Sequence, residues 1–211
     1  MTLNLVILAR RMKWELIITT CLFVVGALGG IFFSQDLIAL LHPMLSSLEQ
    51  KAALMRQETA NQLMVSLFNN NLIVSVMMLL GGFILGILPV IYVFLNGALV
   101  GYVISTVSSV SHLNPFLVFL AGVLPHGIFE IPAYLIASAF GLRITKVMVK
   151  TIVRSVRGDT QELDPMSPNS WRALFRDSVA VVLYVVILLV IAAFIESHVT
   201  PILLQSVLHR S

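Results

Sequence analysis

The segment that decides the fold is residues 71–111, NLIVSVMMLLGGFILGILPVIYVFLNGALVGYVISTVSSVS, in which no side chain is charged. About 20 apolar residues are enough for one transmembrane helix, so a segment of this length predicts two. The available breaks are Pro89 and Asn96 with its following glycine. We therefore predict spans at about 71–92 and about 96–111.

The composition of the whole chain extends this interpretation. Of the 211 residues, 58% are hydrophobic and 11% are charged, whereas soluble domains carry about 25% charged residues. Only helices or closed barrels can cross lipid, and these apolar runs are continuous rather than alternating. The predicted fold class is all-α, a polytopic membrane helix bundle that forms one integral membrane domain over residues 1–211. The single cysteine, Cys21, allows no disulfide within the chain.

Three further apolar runs bring the total to about five spans, with the added ones at about 14–33, 115–142 and 174–195. Asn114 and Pro115 are a typical helix start. Residues 34–70 have leucines at helical spacing and predict an external amphipathic segment, interrupted near His42-Pro43.

The Lys and Arg residues predict the orientation. Three lie at the N-terminus and seven in 143–176, against two in 34–70 and one in the tail. Because cytoplasmic loops carry the excess of these residues, we predict a multi-pass cell-membrane protein. Its N-terminus would be cytoplasmic and its C-terminus outside.

Glu130 is a carboxylate within an otherwise apolar span, where an ionised group is costly and is usually paired, protonated or turned inward. His126 precedes it by one helical turn, and Pro125 and Gly127 predict an irregular helix there. We predict His126, Glu130 and Asn96 as an intramembrane polar site. A structural pair, a proton- or ion-coupled site and a hydrolytic or metal site all remain open. Zinc needs at least three protein ligands, so we predict no metal and no cofactor.

Small residues four apart flatten a helix face and let backbones approach. They predict packing within the bundle or, alternatively, a homo-oligomer interface. The pairs are Gly26 and Gly30, Gly82 and Gly86, and Gly97 and Gly101.

Five cations at helical spacing predict a cytoplasmic basic amphipathic helix with a lipid-facing stripe, anchored on anionic headgroups. A docking surface for a cytosolic partner is the alternative. The stripe consists of Arg143, Lys146, Lys150, Arg154 and Arg157. At the outer end, Glu196, His198, Thr200 and Pro201 either approach His112 and Asn114 or form a solvated helix end.

The chain also resembles a known family, the stage II sporulation protein M family, over nearly its whole length. The matching elements are Phe68-Asn69-Asn70, Asn96-Gly97 with Gly101, Leu124-Pro125-His126-Gly127-x-x-Glu130, Ser138-Ala139-x-Gly141 and Glu196-x-x-x-Thr200-Pro201. The resemblance implies five spans and a set of polar membrane residues. For the sporulation member it also implies a membrane complex with two peptidoglycan-remodelling proteins; most relatives have no established activity.

We predict a non-enzymatic membrane scaffold that recruits partners in an envelope complex. A proton- or ion-coupled transporter or channel subunit that uses Glu130 is the alternative, and a membrane-embedded enzyme is the third. The expected partners are anionic lipid headgroups and other membrane or envelope proteins. No basic patch interleaved with aromatic residues suggests nucleic acid.

Overall fold

The computed structural model of the chain describes residues 5–55, 59–111, 124–158, 167 and 170–200. Within these residues the backbone is helical apart from short turns, and no strand occurs among them. The helices are α1 (Leu5–Arg11), α2 (Lys13–Phe32), α3 (Ser34–Met55), α4 (Ala60–Leu80), α5 (Ile87–Ser111), α6 (Leu124–Val156) and α7 (Trp171–Phe194). A 3₁₀ turn, Gly81–Phe83, follows α4, and a π-helical turn, Ile195–Val199, follows α7.

Five of these helices are long and apolar enough to cross a membrane. The candidate spans are Lys13–Phe32, Ala60–Phe83, Ile87–Thr106, Gly127–Val156 and Trp171–Val199. Large apolar side chains such as Val25, Ile73 and Ile91 are exposed on these spans. Such exposure is expected for helices whose outer faces contact lipid. The predicted class, an all-α polytopic membrane bundle with about five spans, is confirmed.

The boundary between the second and third spans lies earlier than predicted. The chain turns at Leu85 and Gly86, whose φ angles are +53° and +70°, and α5 then continues through Pro89 and Asn96. Both predicted breaks were therefore wrong. Pro89 falls in the first turn of α5, where backbone N–H groups have no partner within the helix. The Asn96 side chain donates to the Tyr92 carbonyl one turn earlier, so it stays within the helix.

Local capping explains why α4 and α7 begin before the predicted positions 71 and 174. Thr59 accepts a hydrogen bond from the Gln62 backbone, while the Gln62 side chain accepts one from the Thr59 backbone. This reciprocal pair satisfies two N–H groups at the start of α4. The Ser170 hydroxyl accepts from the Ala173 backbone N–H and caps α7 in the same way.

The external amphipathic segment was predicted to be interrupted near His42-Pro43, but α3 passes through Pro43 without a break. Proline removes one backbone donor from a helix interior, which weakens the helix at that turn. Leu41 is fully buried and α3 packs against α5, so tertiary packing holds the helix together there. Its external position remains a prediction.

The backbones of α2 and α5 are almost in contact along two glycine motifs. A Cβ added at Gly26 or Gly30 would lie 2.2 or 2.0 Å from a backbone carbonyl oxygen of α5. A Cβ at Gly97 or Gly101 would lie 2.1 or 2.0 Å from a carbonyl oxygen of α2. These motifs therefore pack against each other inside the chain. A homo-oligomer stays a prediction, and it would have to use other surfaces.

The packing also gives the direction of each helix. Successive turns of α2 meet successive turns of α5, so these helices run the same way. The helices α4 and α6 also run the same way, because Asn71 meets Tyr134 and Gly82 meets Thr145. The first and third spans are thus parallel, as are the second and fourth, which fits a chain that reverses at every crossing.

Candidate functional site

Glu130 lies in a chain of hydrogen-bonding side chains between α4 and α6. Tyr134 follows Glu130 by one turn of α6, so both side chains lie on the same helix face, and the Tyr134 hydroxyl is hydrogen-bonded to Glu130 Oε1. The same hydroxyl lies 3.1 Å from Asn71 Oδ1 on α4. Asn70 Nδ2 donates to this Asn71 oxygen at 3.2 Å. The carboxylate therefore faces protein groups.

The partners predicted for Glu130 differ from the observed one. Asn96 donates to the Tyr92 carbonyl oxygen at 2.9 Å, so the expected Asn96 bond to Glu130 is replaced by the Tyr134 bond. The Asn96 amide is satisfied by a carbonyl of its own helix, whereas Tyr134 reaches the carboxylate from one turn away. The side chain of His126 lies outside the described residues, and its pairing with Glu130 stays a prediction.

Most other residues of the elements that resemble the family are spread over the bundle rather than gathered at Glu130. Gly97 serves the contact of α5 with α2, and Gly127 is buried in α6. Asn69 is exposed on α4, while Thr200 is buried after the π-helical turn. The side chain of Pro125 and all of Pro201 lie outside the described residues.

Two titratable groups from other elements lie near this chain. Tyr92 of α5 interacts electrostatically with Glu130, and Glu196 of the π-helical turn does so with Tyr134. Glu196 therefore lies close to the polar site. Its outer-end neighbour His198 has Nε2 3.3 Å from Asn61 Oδ1, near the start of α4. The predicted approach to His112 and Asn114 involves residues outside the described ones.

The helices α4 and α6 keep one register along their whole contact. The Asn71–Tyr134 and Gly82–Thr145 contacts both join residues 63 positions apart. Between them, Gly141 packs against the Met78 backbone at the same separation.

This register places Ser75 level with Ser138, midway along the contact. The two residues are 2% and 0% exposed, and neither hydroxyl has a hydrogen-bond partner among the described residues. We call the contact lined by Asn71, Ser75, Glu130, Tyr134 and Ser138 the α4–α6 seam.

The depth of the seam follows from helix geometry. Gly141 touches the Gly82 turn and follows Glu130 by about three helical turns, or roughly 16 Å along α6. The hydrocarbon core of a bilayer is about 30 Å thick. With the Gly82 turn at one membrane surface, Glu130 lies near the middle of the bilayer.

A cluster of charges occupies the end of the bundle beside this turn. Arg143 is 0% exposed, and its Nη2 donates to Asp177 Oδ2 at 2.9 Å. Arg11 donates to the two oxygens of Asp177 at 2.8 and 3.1 Å, and Arg176 Nε lies 3.4 Å from Oδ1. We call this region, which also contains the pair described next, the charged end.

A second ion pair lies beside the first. Lys146 Nζ donates to Glu15 Oε1 at 2.7 Å, and the Glu15 side chain is almost fully buried. The prediction that the whole basic stripe faces lipid was therefore wrong for Arg143, while Lys146 is ion-paired with its side chain 40% exposed. Their helix face also meets α2 and α7, which bring Glu15 and Asp177 to the same level, and sequence spacing alone does not show those neighbours.

The last turns of α6 and the following Arg157 are mostly exposed. We call this segment, residues 149–157, the basic arm. Lys150 and Arg157 are exposed there. So are Ile152 and Val156, the latter with 82% of its surface exposed. Further back, Thr151 accepts a hydrogen bond from Trp171 Nε1 at 3.0 Å, which fixes the base of the arm to α7.

Sequence reasoning missed Tyr134, Asn71 and Ser75 as members of the site. One signal was available for Tyr134, because it lies four residues after Glu130. No comparable signal existed for the α4 residues, since the register between α4 and α6 is a tertiary property.

The chemistry available to these residues is proton binding, hydrogen bonding and charge pairing. Within residues 5–55, 59–111, 124–158, 167 and 170–200, no group of three or more His, Cys, Asp or Glu side chains could hold a metal ion. The carboxylates at the charged end each have a cationic partner, and Glu130 has a hydroxyl partner.

Comparisons with known proteins agree with the resemblance seen in the sequence. The family model described as stage II sporulation protein M matches residues 19–201. An uncharacterised protein of Methanocaldococcus jannaschii is 35% identical over 137 residues, which cover 64% of this chain and 70% of the relative. No solved structure matches the chain.

Proposed function

The chain belongs to the stage II sporulation protein M family, and from that premise we propose that it is a non-enzymatic membrane scaffold that recruits partners to an envelope complex. The basic arm of α6 is the recruiting surface. Family membership supports a membrane protein, and the observation that carries the recruiting role is the exposed character of this arm.

The length of α6 supports a projecting arm. The helix has 33 residues and is therefore about 50 Å long, against about 30 Å of hydrocarbon core. Gly141 and Arg143 mark the charged end, so the excess length lies on the C-terminal side of these residues. This length supports an arm that extends beyond the membrane core.

The surface of the arm supports binding rather than simple solvation. Ile152 and Val156 are exposed beside Lys150 and Arg157. A helix end that contacts only water usually carries polar side chains, so exposed apolar side chains indicate a binding surface. Apolar and basic side chains together can bind an acidic protein surface or anionic headgroups. We propose an acidic membrane or envelope protein as the partner, with headgroups as additional contacts.

The two ion pairs of the charged end support a fixed base for the arm. Arg143 and Lys146 are held by Asp177 and Glu15, and Val147 is fully buried. The charges that precede the arm are thus used within the bundle, while Lys150 and Arg157 on the arm are exposed to a partner.

Site-specific photo-crosslinking in living cells tests the proposal. A crosslinking amino acid at Val156 is expected to give adducts with one or a few defined proteins, reduced when Lys150 and Arg157 are both replaced by Glu. The control position is Ile73, which is exposed on α4 in the middle of a span and should give only lipid adducts. Lipid adducts alone at Val156 would make the arm a headgroup anchor and would contradict recruitment.

A further inference from the structure

With the Asn70 and Asn71 amides oriented as in the structure, the α4–α6 seam has one hydrogen too few when Glu130 is ionised. The Tyr134 hydroxyl carries one hydrogen, yet its oxygen lies within hydrogen-bond distance of both Glu130 Oε1 and Asn71 Oδ1. Asn70 already donates to that Asn71 oxygen. When Tyr134 donates to Glu130, no hydrogen is left for its contact with Asn71.

A neutral Glu130 carboxyl group supplies the missing hydrogen. It donates to the Tyr134 oxygen, and Tyr134 then donates to Asn71, so every contact in the chain contains one hydrogen. A neutral carboxyl also removes the cost of a charge at this depth. When the proton leaves, the Tyr134 hydroxyl can turn back to the carboxylate, so the same side chains accommodate both forms of Glu130.

The unpartnered serine hydroxyls are a second, independent observation. Ser75 and Ser138 are level with each other in the seam, almost fully buried and without a hydrogen-bond partner among the described residues. Buried polar groups nearly always have a partner, which is often an ordered water. A water bound between α4 and α6 at this level would give both hydroxyls a partner.

The seam continues from the serines to the charged end. Thr145, two turns beyond Ser138 on α6, donates to the Gly82 carbonyl oxygen at 2.6 Å. The turn after Gly82 is exposed at Phe83 and Ile84. Polar groups therefore follow one face of α6 from Glu130 to the surface of the bundle.

Titratable groups of several elements surround Glu130. Tyr92 of α5 and Tyr134 of α6 interact with Glu130 itself, and Glu196 of the π-helical turn lies near Tyr134. Tyr184 of α7 packs against the neighbouring hydrophobic core. At this level α4 contributes amides and hydroxyls, and α2 contributes the Thr19 hydroxyl, 3.5 Å from the Leu135 carbonyl oxygen.

We propose that the α4–α6 seam is a proton-binding site, in which Glu130 takes up and releases one proton. Tyr134 and Asn71 hold both forms, and water at Ser75 and Ser138 carries the proton along the seam. On uptake, an O–H bond forms at Glu130 Oε1 while one O–H bond of a hydronium ion in the seam breaks and leaves water. Release is the reverse. This proton-binding site is a property additional to the scaffold role. Its ligand, a proton, is also the ion that a proton-coupled transporter binds.

Infrared spectroscopy of the full chain in phosphatidylcholine vesicles tests the proton at Glu130. At neutral pH we expect a carbonyl band of a protonated carboxyl group, lost in Glu130→Gln and retained in Asp36→Asn, where an exposed carboxylate of α3 is changed. Absence of the band from the wild-type chain, or its survival in Glu130→Gln, would overturn the proposal.

Tyr134→Phe provides a second variant that keeps the carboxyl group. The frequency of a carboxyl carbonyl depends on its hydrogen bonds, so loss of the Tyr134 hydroxyl should shift the band. This result decides the question even when Glu130→Gln does not fold. An unchanged frequency would show that Tyr134 is not the partner of the proton.

Deuterium exchange at the same band tests the path through the serines. In Ser75→Ala/Ser138→Ala, exchange of the carboxyl proton on transfer to D₂O should slow about fivefold, the equivalent of about one hydrogen bond. The control is Ser66→Ala/Ser155→Ala, which removes exposed hydroxyls from the same two helices. Equal exchange rates in all three proteins would exclude the serines from the path.

These measurements are separable from the scaffold role. Crosslinking at Val156 reports on recruitment, and the carboxyl band reports on the proton. The test of the proton site does not depend on whether the arm binds a partner. A purely structural seam predicts equal or higher thermal stability for the double alanine variant, because unpartnered buried hydroxyls are removed, together with unchanged exchange.

Discussion

Arg143 of α6 and Asp177 of α7 form the most deeply buried ion pair among the described residues, with Nη2 and Oδ2 2.9 Å apart. Arg11 donates to the same carboxylate from the N-terminal side of the bundle. Three segments that are distant in the sequence are thereby joined at the charged end. The geometry of the basic arm depends on this junction.

Removal of one partner from this pair should destabilise the bundle. We expect Arg143→Met to lower the free energy of unfolding by about 3 kcal/mol, at the lower end of the range for broken buried pairs because Arg11 still pairs with Asp177. Arg143→Met/Asp177→Leu should recover part of the loss. Thermal unfolding in detergent measures both, with the exposed Lys150→Met as the control. A double variant less stable than the single one would contradict this account.

Neighbouring glycines of α2 should respond differently to one added methyl group. A Cβ at Gly30 would lie 2.0 Å from the Ala98 carbonyl oxygen, whereas one at Gly29 meets only a Leu37 methyl carbon at 3.7 Å. Gly30→Ala must therefore separate α2 from α5, at a cost of roughly 1–3 kcal/mol.

Gly29→Ala is the matched control for Gly30→Ala and should be close to neutral. Thermal unfolding of the two variants in the same detergent gives the comparison. Equal stability of the two would show that α2 and α5 do not pack through this glycine face.

Two lysines on the same helix should tolerate charge reversal differently. Lys146 pairs with the buried Glu15, so Lys146→Glu brings two carboxylates together. Its cost should be about 2 kcal/mol, less than for a fully buried pair because Lys146 is partly exposed. Lys150→Glu should leave stability unchanged and reduce only the contacts of the arm. A destabilised Lys150→Glu protein would mean that the arm packs more tightly than its exposure indicates.

Cysteine labelling tests the direction of the bundle in the membrane. In a Cys21→Ala background, Ser155→Cys and Asn61→Cys place thiols at exposed positions on opposite ends of the bundle. The charge bias predicts that an impermeant reagent reaches position 61 from outside and position 155 only after permeabilisation. Labelling of both from the same side would contradict the alternating spans.

The number of spans could be predicted from the sequence because the signal of an apolar span is local. An uncharged run such as residues 71–111 must lie in lipid whatever its neighbours are. The break inside this run was misplaced, since Pro89 and Asn96 are helix breakers only in a helix interior without compensation. Pro89 lies in the first turn of α5, and the Asn96 side chain bonds to the Tyr92 carbonyl within the helix, so neither one disrupts the backbone.

The candidate site was predicted only in part, for a related reason. Glu130 could be identified from the sequence because the free-energy cost of a charge in an apolar span depends only on that span. Its neighbours Asn71 and Ser75 depend on the register between two helices that are far apart in the chain. Similarly, the cations Arg143 and Lys146 were assigned to lipid because Asp177 and Glu15 cannot be placed beside them without the fold.

The register of α4 and α6 limits how this chain can vary in length. One residue inserted within either helix rotates everything beyond it by about 100°. Asn71 would then lose Tyr134, or Gly82 would lose Thr145, although the composition would hardly change. An insertion between the two helices, after the Gly82 turn and before Glu130, alters neither partnership. If insertions between the helices leave the protein folded and insertions within them do not, then α4 and α6 can vary in sequence but not in length.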